Sequence, residues 1–108
     1  MRKVLIPIGA GAQMQSAIAE IMTICREEPV EVHLLNVQSA VPRYVAGFFK
    51  RGDLHRLQQE TGIEELAPAQ ALLDAAAIPY KTRVEVGPSA ETIVRVAREI
   101  NCDRIVMG

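Results

Sequence analysis

The stretch Val4-Leu5-Ile6-Pro7-Ile8-Gly9-Ala10-Gly11-Ala12 decides the fold. Val4 to Ile8 is an unbroken apolar run with β-branched residues at alternate positions, the pattern of a short strand buried on both faces. The small residues that follow read as a turn. Downstream, Met14, Ala17, Ile18, Ile21, Met22 and Cys25 recur at intervals of three and four, which places them on one face of a helix. Glu27-Glu28-Pro29 ends that helix, because the residue before proline is pushed out of α geometry. Val30 to Val37 then reads as a second strand. Strand, helix and strand form a βαβ unit, which is right-handed and parallel almost by rule.

The second half repeats the logic. Residues 38–52 show no clear period. Asp53 is expected to cap a helix that starts at Leu54. Its apolar face runs through Leu54, Leu57, Leu66, Ala69, Leu73, Ala76 and Ala77, with a kink or break expected at Gly62 and Pro68. Tyr80, Thr82, Val84 and Val86 alternate with Lys81, Arg83 and Glu85, which marks a half-exposed edge strand. Gly87-Pro88-Ser89 is a turn with Ser89 as N-cap. Ile93, Val94, Val96, Ala97 and Ile100 stripe the next helix, and Ile105-Val106-Met107 reads as a last buried strand. The expected fold is α/β, a doubly wound parallel sheet with the first strand between the second and fourth, in one domain over residues 1–108. Such sheets bind ligands beyond the carboxyl ends of their strands, where the winding reverses. That crevice is expected between Ile8-Gly9, Val37-Gln38 and Met107-Gly108.

Bulk properties narrow the function. The chain has 108 residues, 49% hydrophobic and 23% charged, and a net charge of −1. No global field draws it to nucleic acid or to acidic lipid, so neither partner is expected. The apolar run after Arg2-Lys3 is shorter than the roughly 7–15 residues of a secretory core, and no stretch nears the ~20 of a membrane span. Cys25 and Cys102 lack CxxC spacing, so reduced, buried thiols and a cytoplasmic location are expected.

Several motifs fail on inspection. Gly9-Ala10-Gly11 invites a dinucleotide reading, yet Met14 stands where the third glycine belongs, and Asn36-Val37-Gln38 supplies no acid for a ribose. No GxxxxGK phosphate loop is present. Gly9 and Ala10 cannot hold a metal as the acids of a phospho-receiver would. His33 reads as a half-buried strand histidine and His55 as a surface residue. Met14, Met22 and Met107 read as packing rather than metal ligands. No metal site and no catalytic set is visible, so an enzyme is the weakest reading. One cluster stands out: Tyr44, Phe48 and Phe49 are three of only four aromatic residues, and they sit among Arg43, Lys50, Arg51 and Arg56. They read equally as a lid or contact surface, or as a turn that folds its aromatics inward.

Ordered along the chain, these segments resemble the universal stress protein family. Lys3-Val4-Leu5-Ile6-Pro7-Ile8, Ala17-Ile18 and Val32-His33-Leu34-Leu35-Asn36-Val37 are similar to its first strand, first helix and second strand. Val86-Gly87-Pro88-Ser89-Ala90-Glu91-Thr92-Ile93 and Cys102-Asp103-Arg104-Ile105-Val106-Met107-Gly108 carry the most specific likeness. The resemblance implies a parallel sheet in the order 3-2-1-4-5 and a homodimer. Some members bind ATP or AMP and others bind no nucleotide. By that likeness Pro7, Ile8 and Gly9 would meet the nucleotide from the first strand, Val37 would meet adenine through its backbone, and Met107 and Gly108 would open the phosphate motif. Two departures stand against this. Gly9 replaces an aspartate of the binders and Gly11 a helix-capping serine. The sequence also stops at the first glycine of the phosphate motif, so an order of 3-2-1-4, a missing fifth strand and a domain incomplete at its C-terminus are expected. Two functions follow: a stress-response regulatory domain with an adenine-nucleotide crevice, occupied or vestigial, or a dimerisation or partner-docking module without nucleotide.

Overall fold

The computed structural model describes residues 1–10 and 14–107. Gly11 and Gly108, two positions on which the expectations rest, lie outside them. The elements run β1 (Arg2–Pro7), α1 (Gln15–Glu27), β2 (Val30–Gln38), α2 (Arg43–Ala46), α3 (Asp53–Ala75), β3 (Tyr80–Val86), α4 (Ser89–Glu99) and β4 (Arg104–Ile105). The strands form one parallel sheet in the order β3-β2-β1-β4. This is the expected 3-2-1-4 arrangement, with β1 inside and β3 at an edge.

Period-two alternation sorts the strand side chains between two apolar layers. Val4, Ile6 and Ile8 of the first strand, with Val32 and Leu34 of the second, face Ile18 and Ile21 of α1 and Leu66, Ala69 and Leu73 of α3. Leu5 and Leu35 face the other way and meet Val96, with Ile93, Ala97 and Ile100 of α4 packed around them. Each buried Leu, Ile or Val contributes roughly 1.5–3 kcal/mol. The sheet is therefore covered on both faces, which is why the run from Val4 to Ile8 carries no polar residue.

Boundaries differ from the sequence expectations where hydrogen bonds, not apolar spacing, decide them. Gly52, with φ of 88°, is the N-cap of α3, and Asp53 is already helical and paired with Arg56. Pro88, not Ser89, caps α4. The expected break in α3 does not occur, since the helix runs unbroken through Gly62 and Pro68. Pro68 is exposed, as is Glu64, whose carbonyl loses its i+4 donor on the solvent side of the helix, where that loss costs least. Leu57 is exposed rather than part of the core face, because the buried positions of α3 begin only at Gly62. The last strand is not buried as expected. Val106 is, but Ile105 and Met107 are 39% and 66% exposed, because β4 pairs only with β1 among the described residues. Cys25 and Cys102 are free thiols, half-buried rather than fully buried. Burial still pushes the Cys25 thiol up. No described helix is long and apolar enough to cross a membrane.

On the α4 side a ring of charges ties β3 to the helix. Arg83 binds Glu85 and Glu99 at 2.8 and 2.5 Å, and Arg95 binds the same two acids at 2.7 and 2.8 Å. Hydrogen bonds from Arg95 hold Glu85 below the usual carboxylate range, and those from Arg83 do the same for Glu99. Folded-state values below the unfolded ones mean that this contribution is present above about pH 4.3 and is lost as pH falls further. The groups are partly solvated, so each pair adds little at neutral pH.

Gly62 is the tightest point between α3 and the sheet. A Cβ there would lie 2.5 Å from Val84 Cγ1 and 2.9 Å from Asn36 Oδ1. Alanine in a helix interior is normally better than glycine by about 1 kcal/mol. Here overpacking costs about 1–3 kcal/mol and outweighs that gain. Gly62→Ala is therefore expected to lower stability in urea unfolding by about 1 kcal/mol. The same change in a Val84→Ala background should cost less, since only the contact with Asn36 Oδ1 then remains. A stabilised single variant would show that α3 sits farther from β3.

Candidate functional site

The connections place the site. α1 and α3 cross one face of the sheet, while α4 returns across the other to put β4 beside β1. The winding thus reverses between β1 and β4, where an open α/β sheet leaves a crevice at its carboxyl end. A cavity of about 300 Å³ lies there. Pro7, Ile8 and Gly9 line it from the end of β1, Leu35 and Val37 from β2, and Met107 from beyond β4. Met14 at the N-cap of α1, Ala17 of α1, and Ser89 and Ile93 of α4 complete it.

The structure brings five of the six proposed contact residues, Pro7, Ile8, Gly9, Val37 and Met107, into this one crevice. The sixth, Gly108, is outside the described residues. Gln38 does not line it and turns to the α3 side instead. Residues 43–51 do not line it either, so the aromatic segment does not cover the crevice as a lid. Spacing had not singled out Ala17, Leu35, Ser89 and Ile93 as lining residues. Apolar periodicity marks Ala17, Leu35 and Ile93 as core and the turn signal marks Ser89 as a cap, and only the meeting of four element ends turns them into a wall.

The wall is almost wholly apolar. Ser89 supplies the one polar side chain, and no lining side chain is charged. Gly9 is exposed at the rim, and a Cβ placed on it would meet nothing within 4 Å. The crevice therefore suits a flat, weakly polar group held by backbone edges. Among the described residues no cluster of three or more His, Cys, Asp or Glu could hold a metal ion. His33 is half-buried and paired with Glu31 at 2.6 Å. That hydrogen bond, aided by Lys81, holds the Glu31 carboxyl low. His55 is exposed.

Behind the crevice lies a polar cluster that sequence spacing did not single out. Asn36 is fully buried. Its Nδ2 donates to the Ile8 carbonyl at 2.9 Å and to Glu65 Oε2 at 2.5 Å. Gln38 Nε2 donates to Asn36 Oδ1 at 2.7 Å and to Glu65 Oε2 at 3.1 Å. Asn36 thus fixes the carbonyl where β1 ends and the crevice rim begins. A polar residue inside Leu34-Leu35-Asn36-Val37 was the available signal, since a buried amide must find partners.

Asn36→Asp would place a second carboxylate against Glu65. Like charges raise one carboxyl above its unfolded value. The loss in the variant should therefore be largest at neutral pH, about 2–4 kcal/mol, and shrink toward pH 4 as the pair takes up a proton. Urea titrations of variant and parent across that range check this. A pH-independent difference would show that Asn36 does not touch Glu65.

Comparison with known proteins agrees with this geometry. The sequence model described as "Universal stress protein family" matches residues 1–108. A search of curated proteins finds no significant match. Among solved structures, the hypothetical protein MJ0577, whose biochemical function was assigned from its structure, superposes with a TM-score of 0.78 at 23% identity, over 99% of this chain and 74% of that one. A universal stress protein family member from Burkholderia pseudomallei gives 0.69 at 23% identity, over 98% and 80%. The universal stress protein UspA from Lactobacillus plantarum gives 0.61 at 20%, over 97% and 74%. These likenesses establish the fold.

Proposed function

This chain belongs to the universal stress protein family, and from that premise we propose that it is a cytoplasmic, homodimeric regulatory domain whose crevice takes the base of an adenine nucleotide. The observation that carries this reading is the apolar crevice at the winding reversal, lined by Gly9 and Val37 among others. An adenine ring is flat, apolar on its faces and hydrogen-bonding at its edge. A cavity of about 300 Å³ with an almost wholly apolar wall fits the faces of such a ring. The phosphates fit less well. Among the described lining residues there is no cation to receive them.

Base recognition without phosphate recognition gives weak binding. Gly9 adds to this, since it leaves no carboxylate to accept from the base or ribose. A second reading, a docking module that uses no nucleotide, rests on the same uncharged wall. Mass spectrometry of small molecules released from the purified protein separates the two, since only the first predicts co-purified adenine nucleotide.

Calorimetry gives the sharper comparison. The 108-residue chain should bind ATP more weakly than micromolar, and adenosine about as well as ATP. Gly9→Asp should fold normally, because open space surrounds the added Cβ. A charged hydrogen bond of roughly 1.5–3 kcal/mol should then raise nucleotide affinity by about tenfold to a hundredfold. Micromolar ATP binding by the parent would overturn the weak-binding reading. No gain in Gly9→Asp would remove the crevice as the base site.

A further inference from the structure

We propose that residues 43–51 form a docking point for an anionic phospholipid surface. The net charge of −1 conceals a strongly asymmetric segment. From Ser39 to Gly52 the chain holds three cations, Arg43, Lys50 and Arg51, and no acid. Among the described residues none of these cations enters an ion pair. The aromatics beside them are not folded inward. Phe48 is 88% exposed, Tyr44 76% and Phe49 37%. The short helix α2 contributes no buried residue.

Large apolar side chains held in water mark a surface that is covered in use. Charge decides what covers it. A second copy meeting this segment through the same segment would set cation against cation with no acid from Ser39 to Gly52 to offset them, so charge favours an anionic occupant. Shape decides further. Phe48 projects from the turn that follows α2, and no residue of the segment lines the crevice. A protein partner would need a pocket matched to that ring. Single-stranded nucleic acid is read by rings lying along a charged groove. A fluid headgroup boundary accepts a protruding ring without a matched pocket, and it favours Phe and Tyr flanked by Lys and Arg. The surface lies apart from the crevice lining, so it stands or falls independently of nucleotide binding.

Vesicle flotation of the intact chain tests this. Vesicles of phosphatidylcholine with phosphatidylglycerol should carry the protein at low salt and release it as salt rises. Vesicles of phosphatidylcholine alone should not carry it. Lys50→Gln with Arg51→Gln should weaken partitioning by about tenfold or more, at roughly fivefold per cation. Phe48→Ser should weaken it by about tenfold. Arg98→Gln, an exposed cation on α4, should leave it unchanged. Because all these positions are exposed, each variant should keep the parent's Tm. No flotation with anionic vesicles, equal flotation with neutral ones, or equal losses in Arg98→Gln would each overturn the proposal. So would tighter binding to a single-stranded oligonucleotide than to the anionic vesicles.

Discussion

Burial of β1 on both faces is the constraint from which the rest follows. Val4, Leu5 and Ile6 are at most 1% exposed, and β1 has a paired strand on each side. A strand whose run from Val4 to Pro7 has no polar position cannot leave either face in water. One face must be covered by α1 and α3 and the other by α4, so the chain has to cross the sheet on both sides. Once it does, the winding reverses beside β1, and the crevice appears there as a consequence of covering the strand. The site is thus a by-product of core formation, built from the ends of elements whose middles are hydrophobic core.

That origin explains what could be read from the sequence. The apolar run of β1, the three-and-four spacing of α1 and the alternation in β3 are local patterns, and each produced the element expected. The full strand order came from the resemblance to the family, and the crevice position from the reversal of winding in such sheets. The caps did not follow. Asp53 and Ser89 are residue types that cap well, but Gly52 and Pro88 hold the capping positions. Gly62 misled for a different reason. In isolation it weakens a helix, whereas here it lets α3 approach Val84 and Asn36, a requirement set by a strand more than twenty residues away in sequence. The exposure of Ile105 was equally hidden, since an apolar dipeptide carries no information about how many neighbours its strand will have.

Asn36 shows how the two layers of the argument meet. As a failed ribose-binding acid it counted only against a dinucleotide fold. In the structure it spans the end of β1, the side of β2 and Glu65 of α3. A buried amide with every hydrogen committed is costly to disturb and tolerates few alternative packings. It therefore fixes the register of α3 against the sheet more strictly than the leucines around it, which could slide. The same bond holds the Ile8 carbonyl, so the shape of the rim and the seating of α3 are coupled through one side chain.

The distribution of charge separates what the domain can recognise from where. The crevice wall carries no charge, while the unpaired cations Arg43, Lys50 and Arg51 lie outside it, on the segment that follows β2. An uncharged pocket discriminates by shape and by backbone hydrogen bonds, which sense a base but not the number of phosphates attached to it. Such a site would respond to total adenine nucleotide rather than to the ratio of ATP to AMP. Cations beyond the crevice sense a different quantity, the local density of negative charge on a surface. The two kinds of recognition use different physical terms and different residues, and neither requires the other to be occupied. If both proposals hold, such a domain would register a small molecule and a location at once without any movement of the sheet between them.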